Sequence, residues 1–533
     1  MKLSFFGADQ CVTGSCHCLE ANGHRILIDC GLQQGRDEID NRELPFAPGT
    51  MDCVLVTHAH IDHSGRIPLL MKQGFQGSVV ATRMTCDLMR IMLADSAHIQ
   101  ESDAEWQTRK GLRAGKPPVE PLYTIEDAQR VEAVLRPCEY NETVQLFDGV
   151  SAVFTDAGHL LGSASITVTV TEGGVTKKIV FSGDIGNVDQ PIIRDPVPLH
   201  DADYVVMEST YGDRNHTEVW SYTDELAAII DKTMARGGSV IIPSFAVGRT
   251  QELLYFIREI KDQRLVKSNP DFAVYIDSPL AKKATTIFTG NLHGYLDEAA
   301  LGLVQDGTHL FNFTNLRMTE GMEESKALNE DRSPKVIISA SGMCDAGRIR
   351  HHLKHNLWRP ECSIVFVGFQ GPGTLGRHLL DGAESVKLFG EEIAVHAEIV
   401  NFQGLSSHAD RDHLVKWIEG FKASNPAQVF VVHGDREVAP FFAKNLCDMG
   451  FAAHAPQYTE VYDLVENRQV EVGYLPERKL RVEGAPKISP AYERLVAVGQ
   501  MLAETIKRSR GRDNKSLASF ADQLRKLLEK WDI

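Results

Sequence analysis

The sequence predicts an α/β protein built in layers. Short β-branched runs alternate with longer segments of helical period, Gly and Pro punctuate the chain throughout, and several of the short runs end in His, Asp or Glu. In chain order the strand-like runs are Arg25 to Cys30, Cys53 to Thr57, Ala152 to Asp156, Lys178 to Asp184, Tyr204 to Glu208, Ser239 to Pro243, Lys335 to Ala340, Ser363 to Phe369 and Gln428 to His433. A polar residue at the end of a rigid strand can be aimed into a cleft shared with its neighbours. Thr85 to Ile99 carries Leu88, Ile91 and Met92 at core spacing, and Arg249 to Ile260 follows a turn at Gly248, so both are expected to be packing helices.

A chain of 533 residues exceeds one compact core, so two or three domains are expected. Met1 to Gln10 holds one Lys and a short, mostly apolar run, far less than a signal-peptide core, and no stretch reaches the roughly 18 apolar residues of a membrane span. These features predict a cytoplasmic protein without membrane contact. The ten cysteines show no C-x-x-C spacing, as suits reduced thiols. Cys16-His17-Cys18 has the look of a metal pair but lacks further Cys or His nearby, and it fits better as the sequel to a Gly14-Ser15 turn. A net charge of −16 excludes a protein that holds nucleic acid by blanket electrostatics. Positive charge collects only from Pro476 to Ile533, with 13 Lys and Arg against 8 Asp and Glu.

The densest chemistry is His58-Ala59-His60-Ile61-Asp62-His63, directly after the apolar run Cys53 to Thr57. Three imidazoles and a carboxylate leaving a strand in a loop cannot all find buried partners cheaply, yet they are the ligands zinc prefers. The pattern resembles the metallo-β-lactamase superfamily, and the other marks of that fold follow in order. Asp29, after Ile26-Leu27-Ile28, is similar to the early aspartate that orients the histidine loop without binding metal. His159 in Asp156-Ala157-Gly158-His159 resembles the third imidazole of the first zinc, and Asp184 in Phe181-Ser182-Gly183-Asp184 the carboxylate that bridges both ions. Taken singly, a His or Asp at a strand end is more often a capped structural residue. Their joint order argues otherwise.

No further ligand histidine follows Asp184 closely. Met207-Glu208-Ser209-Thr210-Tyr211-Gly212 comes next, and about 180 residues then precede His408 in Ser406-Ser407-His408-Ala409-Asp410 and His433 in Val431-Val432-His433-Gly434-Asp435. That interruption resembles the β-CASP nucleases, in which a cap domain is inserted into the hydrolase fold. The resemblance covers roughly residues 1 to 470 and implies a four-layer αββα sandwich with an inserted α/β cap. The expected segments are 1–208 and 388–475 for the hydrolase domain, 209–387 for the cap, and 476–533 for a basic helical C-terminal arm with helices over Tyr492 to Lys507 and Leu517 to Trp531. His396, in Val395-His396-Ala397, lies close enough to His408 to compete for its role, but its neighbours suit a strand and it is assigned a structural one.

The resemblance further implies two Zn2+ per chain. His58, His60, His159 and Asp184 would hold the first, and Asp62, His63, Asp184 and His433 the second. Together the ions would activate water for attack on a phosphodiester of single-stranded RNA. His408 would be the general acid, Glu208 would keep it charged and oriented, and Asp62 completes the catalytic set. Products would carry 5′-phosphate and 3′-hydroxyl ends. Three loops pair a Gly turn with an Arg that could meet phosphate through Arg249, Arg348 and Arg377. In the arm, Lys507-Arg508-Ser509-Arg510-Gly511-Arg512 would either grip RNA backbone or form a solvated turn, with pairing of two chains through apolar helix faces as a third reading. Two rivals stand beside the nuclease. A small-molecule hydrolase acting on a thioester or lactam needs no large cap, and a non-catalytic RNA-binding scaffold would typically have lost metal ligands.

Overall fold

A computed structural model describes residues 1–35, 40–217, 221–290, 292–371, 373–402, 404–476, 502, 505–506, 509 and 513–529. The chain divides into two units, Met1–Arg478 and Lys479–Ile533. All nine strand-like runs form strands, at His24–Ile28, Cys53–Leu55, Val150–Asp156, Val175–Phe181, Tyr204–Glu208, Val240–Pro243, Lys335–Ser339, Ser363–Phe366 and Gln428–Val432. Asp156 and Glu208 close their strands, whereas the strands before Asp29 and His433 stop one residue short of them. Asp29 and His433 have positive φ, 61° and 49°, so the chain leaves extended geometry at the very residue that carries the side chain into the site.

In the first unit an eight-stranded and a seven-stranded sheet face each other. Period-two alternation sends Leu3, Phe5, Leu19, Ile26 and Ile28 of one sheet against Phe154, Ile166, Phe181, Val206 and Phe430 of the other, all buried. Each such side chain contributes about 1.5–3 kcal/mol by leaving water. Helices cover both outer faces. Ile67–Lys72, Arg83–Leu112 and Ile125–Val131 supply much of the core over the first sheet, while Arg411–Glu419 and Val438–Asp448 cover the second. Thr82 starts the long helix by accepting from Thr85 N; Leu88 and Met92 are buried and Ile91 is half-buried against the same core, and the helix, Arg83–Leu112, starts earlier and runs on beyond the expected Ile99. Cys16-His17-Cys18 is structural. Strand alternation puts the two thiols on one face and His17 on the other, against Phe5 and Phe181, where burial lowers the imidazole pKa to about 3.

The inserted unit leaves the seven-stranded sheet between two adjacent strands. Tyr204–Glu208 pairs in parallel with Gln428–Val432, Glu208 opposite Val432, so the chain exits and returns side by side. Its own sheet has six parallel strands, ordered Leu316–Met318, Ala273–Ile276, Lys335–Ser339, Val240–Pro243, Ser363–Phe366 and Glu398–Asn401. The last strand corrects the expected boundary at 387, because Glu398–Asn401 completes this sheet and the return follows it. His396 corrects a second expectation, since it lies between strands rather than in one and donates its backbone N–H to Leu357 O at 2.8 Å.

Directly after the strand Ala273–Ile276, Asp277 is fully buried and accepts from His352 Nε2 and Arg348 at 2.6 Å each, from Ser325 Oγ at 2.5 Å and from Thr319. Burial alone would raise its pKa, but those donors hold the carboxyl well below the ordinary range.

In the second unit, Asn514–Glu529 is an α-helix whose first turn is capped by Asp513, with Ser516 N donating to Oδ1 at 2.9 Å. Tyr492 and Lys507, which bound the other expected helix, lie outside the described residues, as do Arg508, Arg510, Gly511 and Arg512 of the basic run. Among the described residues no helix is long and apolar enough to cross a membrane.

Replacing Asp277 by Ala leaves Arg348 and His352 uncompensated and is expected to cost about 3–5 kcal/mol, read by denaturant unfolding followed by fluorescence. A depressed carboxyl pKa contributes stability above its unfolded value, about 3.9, so the wild-type advantage over the variant should shrink as pH falls below about 4.

Candidate metal centre

Strands of both sheets end at one edge of the sandwich, and the residues after them converge. Parallel pairing of His24–Ile28 with Cys53–Leu55 brings Asp29 beside Thr57. Asp29 Oδ1 accepts from Thr57 N at 2.8 Å, while Oδ2 accepts from Thr57 Oγ1 at 2.9 Å and from His63 Nδ1 at 2.7 Å. The Thr57 hydroxyl, its proton given to Asp29, then accepts from His58 Nδ1 at 3.1 Å. His159 Nδ1 donates to Ser407 O at 3.0 Å, and Thr210 Oγ1 lies 3.1 Å from His433 Nδ1 while donating to His433 O. In His58 and His159 the outer nitrogen thus carries the proton and Nε2 presents a lone pair inward, and His63 and His433 are held by the same kind of outer contact.

Those inward atoms form two groups. His58 Nε2 and His159 Nε2 lie 3.0 and 3.2 Å from His60 Nδ1, and each lies 3.5 Å from Asp184 Oδ2. His63 Nε2 is 3.2 Å from His433 Nε2, which is 3.7 Å from Asp62 Oδ2, and Asp184 Oδ1 is 3.2 Å from His63 Nε2. One carboxylate thus turns an oxygen toward each group. Asp184 Oδ1 is buried and engaged in no hydrogen bond. Ligand atoms 2.0–2.1 Å from a tetrahedral ion stand about 3.3 Å apart, close to the separations seen here. Converging lone pairs and an unsatisfied buried carboxylate oxygen fit a pair of divalent cations.

The electrostatics agree. Burial holds His58 and His159 well below the ordinary imidazole pKa, leaving neutral rings that can ligate. Burial would raise Asp184, but His433, His63 and His58 outweigh it and keep the carboxyl ionised. His63 moves the other way: against burial, Asp184 and Asp29 raise its pKa, so a cation entering there replaces a proton.

Beside this cluster His408 Nδ1 lies 3.1 Å from Glu208 Oε1 and 3.9 Å from Asp184 Oδ2. Glu208 is fixed by Ile185 N at 2.7 Å and Thr210 N at 3.2 Å. Burial opposes charge on His408, yet Glu208 and Asp184 raise its pKa to about 9, and its side chain remains 21% exposed. Two glycines permit the close packing. A Cβ on Gly31 would sit 1.6 Å from Asp62 O, and one on Gly186 would sit 1.8 Å from Gly158 O, beside His159.

All seven expected ligands therefore meet, with Asp29, Glu208 and His408 around them. The three arginines behave differently. Arg249 is buried and pairs with Glu252, Arg348 is bound to buried Asp277 and to Glu320 O, and only Arg377 keeps an exposed head group, paired with Asp381 at 2.8 Å. Local composition gave each Arg a loop but could not show the carboxylate facing it. Sequence reasoning also missed Thr57, Ser407 and Thr210, whose oxygens fix three of the rings. For Thr57 a signal existed, because it directly precedes the histidine motif.

Three family profiles match the chain: Metallo-beta-lactamase superfamily over residues 10–231, Beta-Casp domain over 250–379, and Zn-dependent metallo-hydrolase RNA specificity domain over 392–456. Among curated proteins, a ribonuclease of Thermus thermophilus is 38% identical over 438 residues, 82% of this chain and 94% of that protein. An RNase J-like protein of Methanocaldococcus jannaschii is 30% identical over 83% of this chain and 95% of its own length. A transcription termination factor of the same archaeon is 29% identical over 83% of this chain and 68% of its own.

Thr57→Val removes the hydroxyl between Asp29 and His58 while keeping its shape. Metal affinity, titrated by calorimetry against metal-stripped protein, is expected to weaken about 10–100-fold with the fold retained.

Proposed function

The chain belongs to the β-CASP branch of the metallo-β-lactamase superfamily and is a metal-dependent hydrolase; from that premise we propose that it cleaves phosphodiester bonds of single-stranded RNA in the cytoplasm, using two zinc ions. The observation that carries this reading is the division of the Asp184 carboxylate between two ligand groups, with His408 and Glu208 at their side.

His58, His60, His159 and Asp184 would hold one ion, and Asp62, His63, His433 and Asp184 the other. When bound, the ions supply a nucleophile from water near neutral pH and offset charge developing on the phosphodiester. Asp29 and Thr57 keep His58 and His63 turned inward. Glu208 occupies Nδ1 of His408, which leaves Nε2 to protonate the departing ribose 3′ oxygen. Products then carry 5′-phosphate and 3′-hydroxyl ends. The 2′ hydroxyl has no part in that chemistry, so preference for RNA rests on the shape of the cleft and contacts within it. A thioester or lactam hydrolase would leave the Glu208–His408 pair without a task, and a non-catalytic scaffold would leave seven convergent ligands without one.

Wild type is expected to cut a 5′-labelled single-stranded RNA and to cut the same strand more slowly once annealed to its complement. His408→Ala should lower kcat by about 10²–10⁴-fold at unchanged metal content. Cleavage equal to wild type would remove His408 from the chemistry.

A further inference from the structure

The three Gly-Arg loops lie where parallel strands of the inserted sheet end. The loop after Val240–Pro243 carries Phe245, the loop after Lys335–Ser339 carries Gly342, and the loop after Ser363–Phe366 carries Phe369 and Gln370. Ligands of parallel α/β sheets bind at that edge. Arg249 and Arg348 are tied to carboxylates within the protein, so the loops do not offer those two cations to a ligand. What they offer is aromatic. Phe245 is 45% exposed and Phe369 is 49% exposed, in a chain where most Phe side chains are buried.

Neither ring is out by laxity of its loop. Phe245 O accepts from Thr250 Oγ1 at 2.7 Å and from Ser244 Oγ at 3.1 Å, while Ser244 N donates to Ser339 O at 3.0 Å. Buried Gln370 donates to Gly342 O at 2.9 Å and to Gly368 O at 3.2 Å, which ties the second and third loops together. The Phe245 ring edge lies over Gly342, where an added Cβ would stand 3.1 Å away. Downstream in the first loop, Gly248 approaches Leu160, the neighbour of His159. The loop that exposes Phe245 thus packs, three residues on, against the segment that carries His159.

We infer that Phe245 and Phe369 form a base-stacking platform that holds unpaired RNA bases next to the scissile phosphodiester. Aromatic faces accept any base, require the strand to be unpaired, and need no surplus of positive charge, which suits a chain of net charge −16. A duplex hides its base faces and gains nothing from such a platform. This inference rests on the ribonuclease reading and names how that enzyme selects single strands.

The test is steady-state cleavage of a 5′-labelled single-stranded RNA and of a series bearing one abasic nucleotide at successive positions, by wild type, Phe245→Ala, Phe369→Ala and Phe245→Trp, with thermal unfolding and metal content measured for each. Each Ala variant is expected to raise KM about 5–100-fold with kcat changed much less, while the Trp variant keeps wild-type KM. In wild type, abasic substitution at one or two fixed positions should raise KM similarly, and the Ala variants should lose that position dependence. Ala variants with wild-type KM and a wild-type abasic profile would overturn the platform and leave the ribonuclease standing. Failure of wild type itself to cleave or bind the RNA would remove both.

Discussion

One buried carboxylate organises this molecule. Asp184 sits at the end of a core strand with His58 and His159 near one oxygen and His63 near the other, all almost wholly removed from water. Placing so many lone pairs and a negative charge together in a poorly solvated pocket is unfavourable unless cations balance them, so the arrangement persists only on a scaffold that fixes each group independently. The sandwich provides that scaffold. Strands hydrogen-bonded along their length lead into the segments that carry these side chains, with Asp62 and His63 on the short helix Ile61–Ser64, and a third group such as Thr57, Ser407 or Thr210 fixes the ring orientation.

The inserted unit follows from the same geometry. Its chain departs after Glu208 and comes back before His433 on directly paired parallel strands, so an excursion of more than two hundred residues leaves both side chains at one sheet edge. The insertion therefore costs the centre nothing in alignment. It brings Gly248 close to Leu160, the neighbour of His159, and the chain that returns from it sets His408 3.1 Å from Glu208. The candidate ligands stay where the strands put them whatever the inserted segment carries.

Position in a loop says little about what a charged side chain faces. Arg249, Arg348 and Arg377 occupy similar Gly-rich turns, yet one is buried against Glu252, one anchors the buried Asp277, and one lies at the surface. The difference arises from helices and strands elsewhere that bring a carboxylate within reach. The same loops expose Phe245 and Phe369, which a hydropathy pattern would assign to the core.

By itself the sequence determined the layered α/β architecture and nine of the strands, because alternation and apolar runs are local properties set by side-chain chemistry, and the order of His and Asp after those strands pointed to the candidate ligands through a family resemblance. Only the tertiary structure decided that Thr57, Ser407 and Thr210 fix the imidazole rings, that Glu398–Asn401 belongs to the inserted sheet, that His396 stands between strands, and which loop residues meet solvent. Each of those depends on pairings between segments tens to hundreds of residues apart, and no local pattern carries the register in which distant strands align.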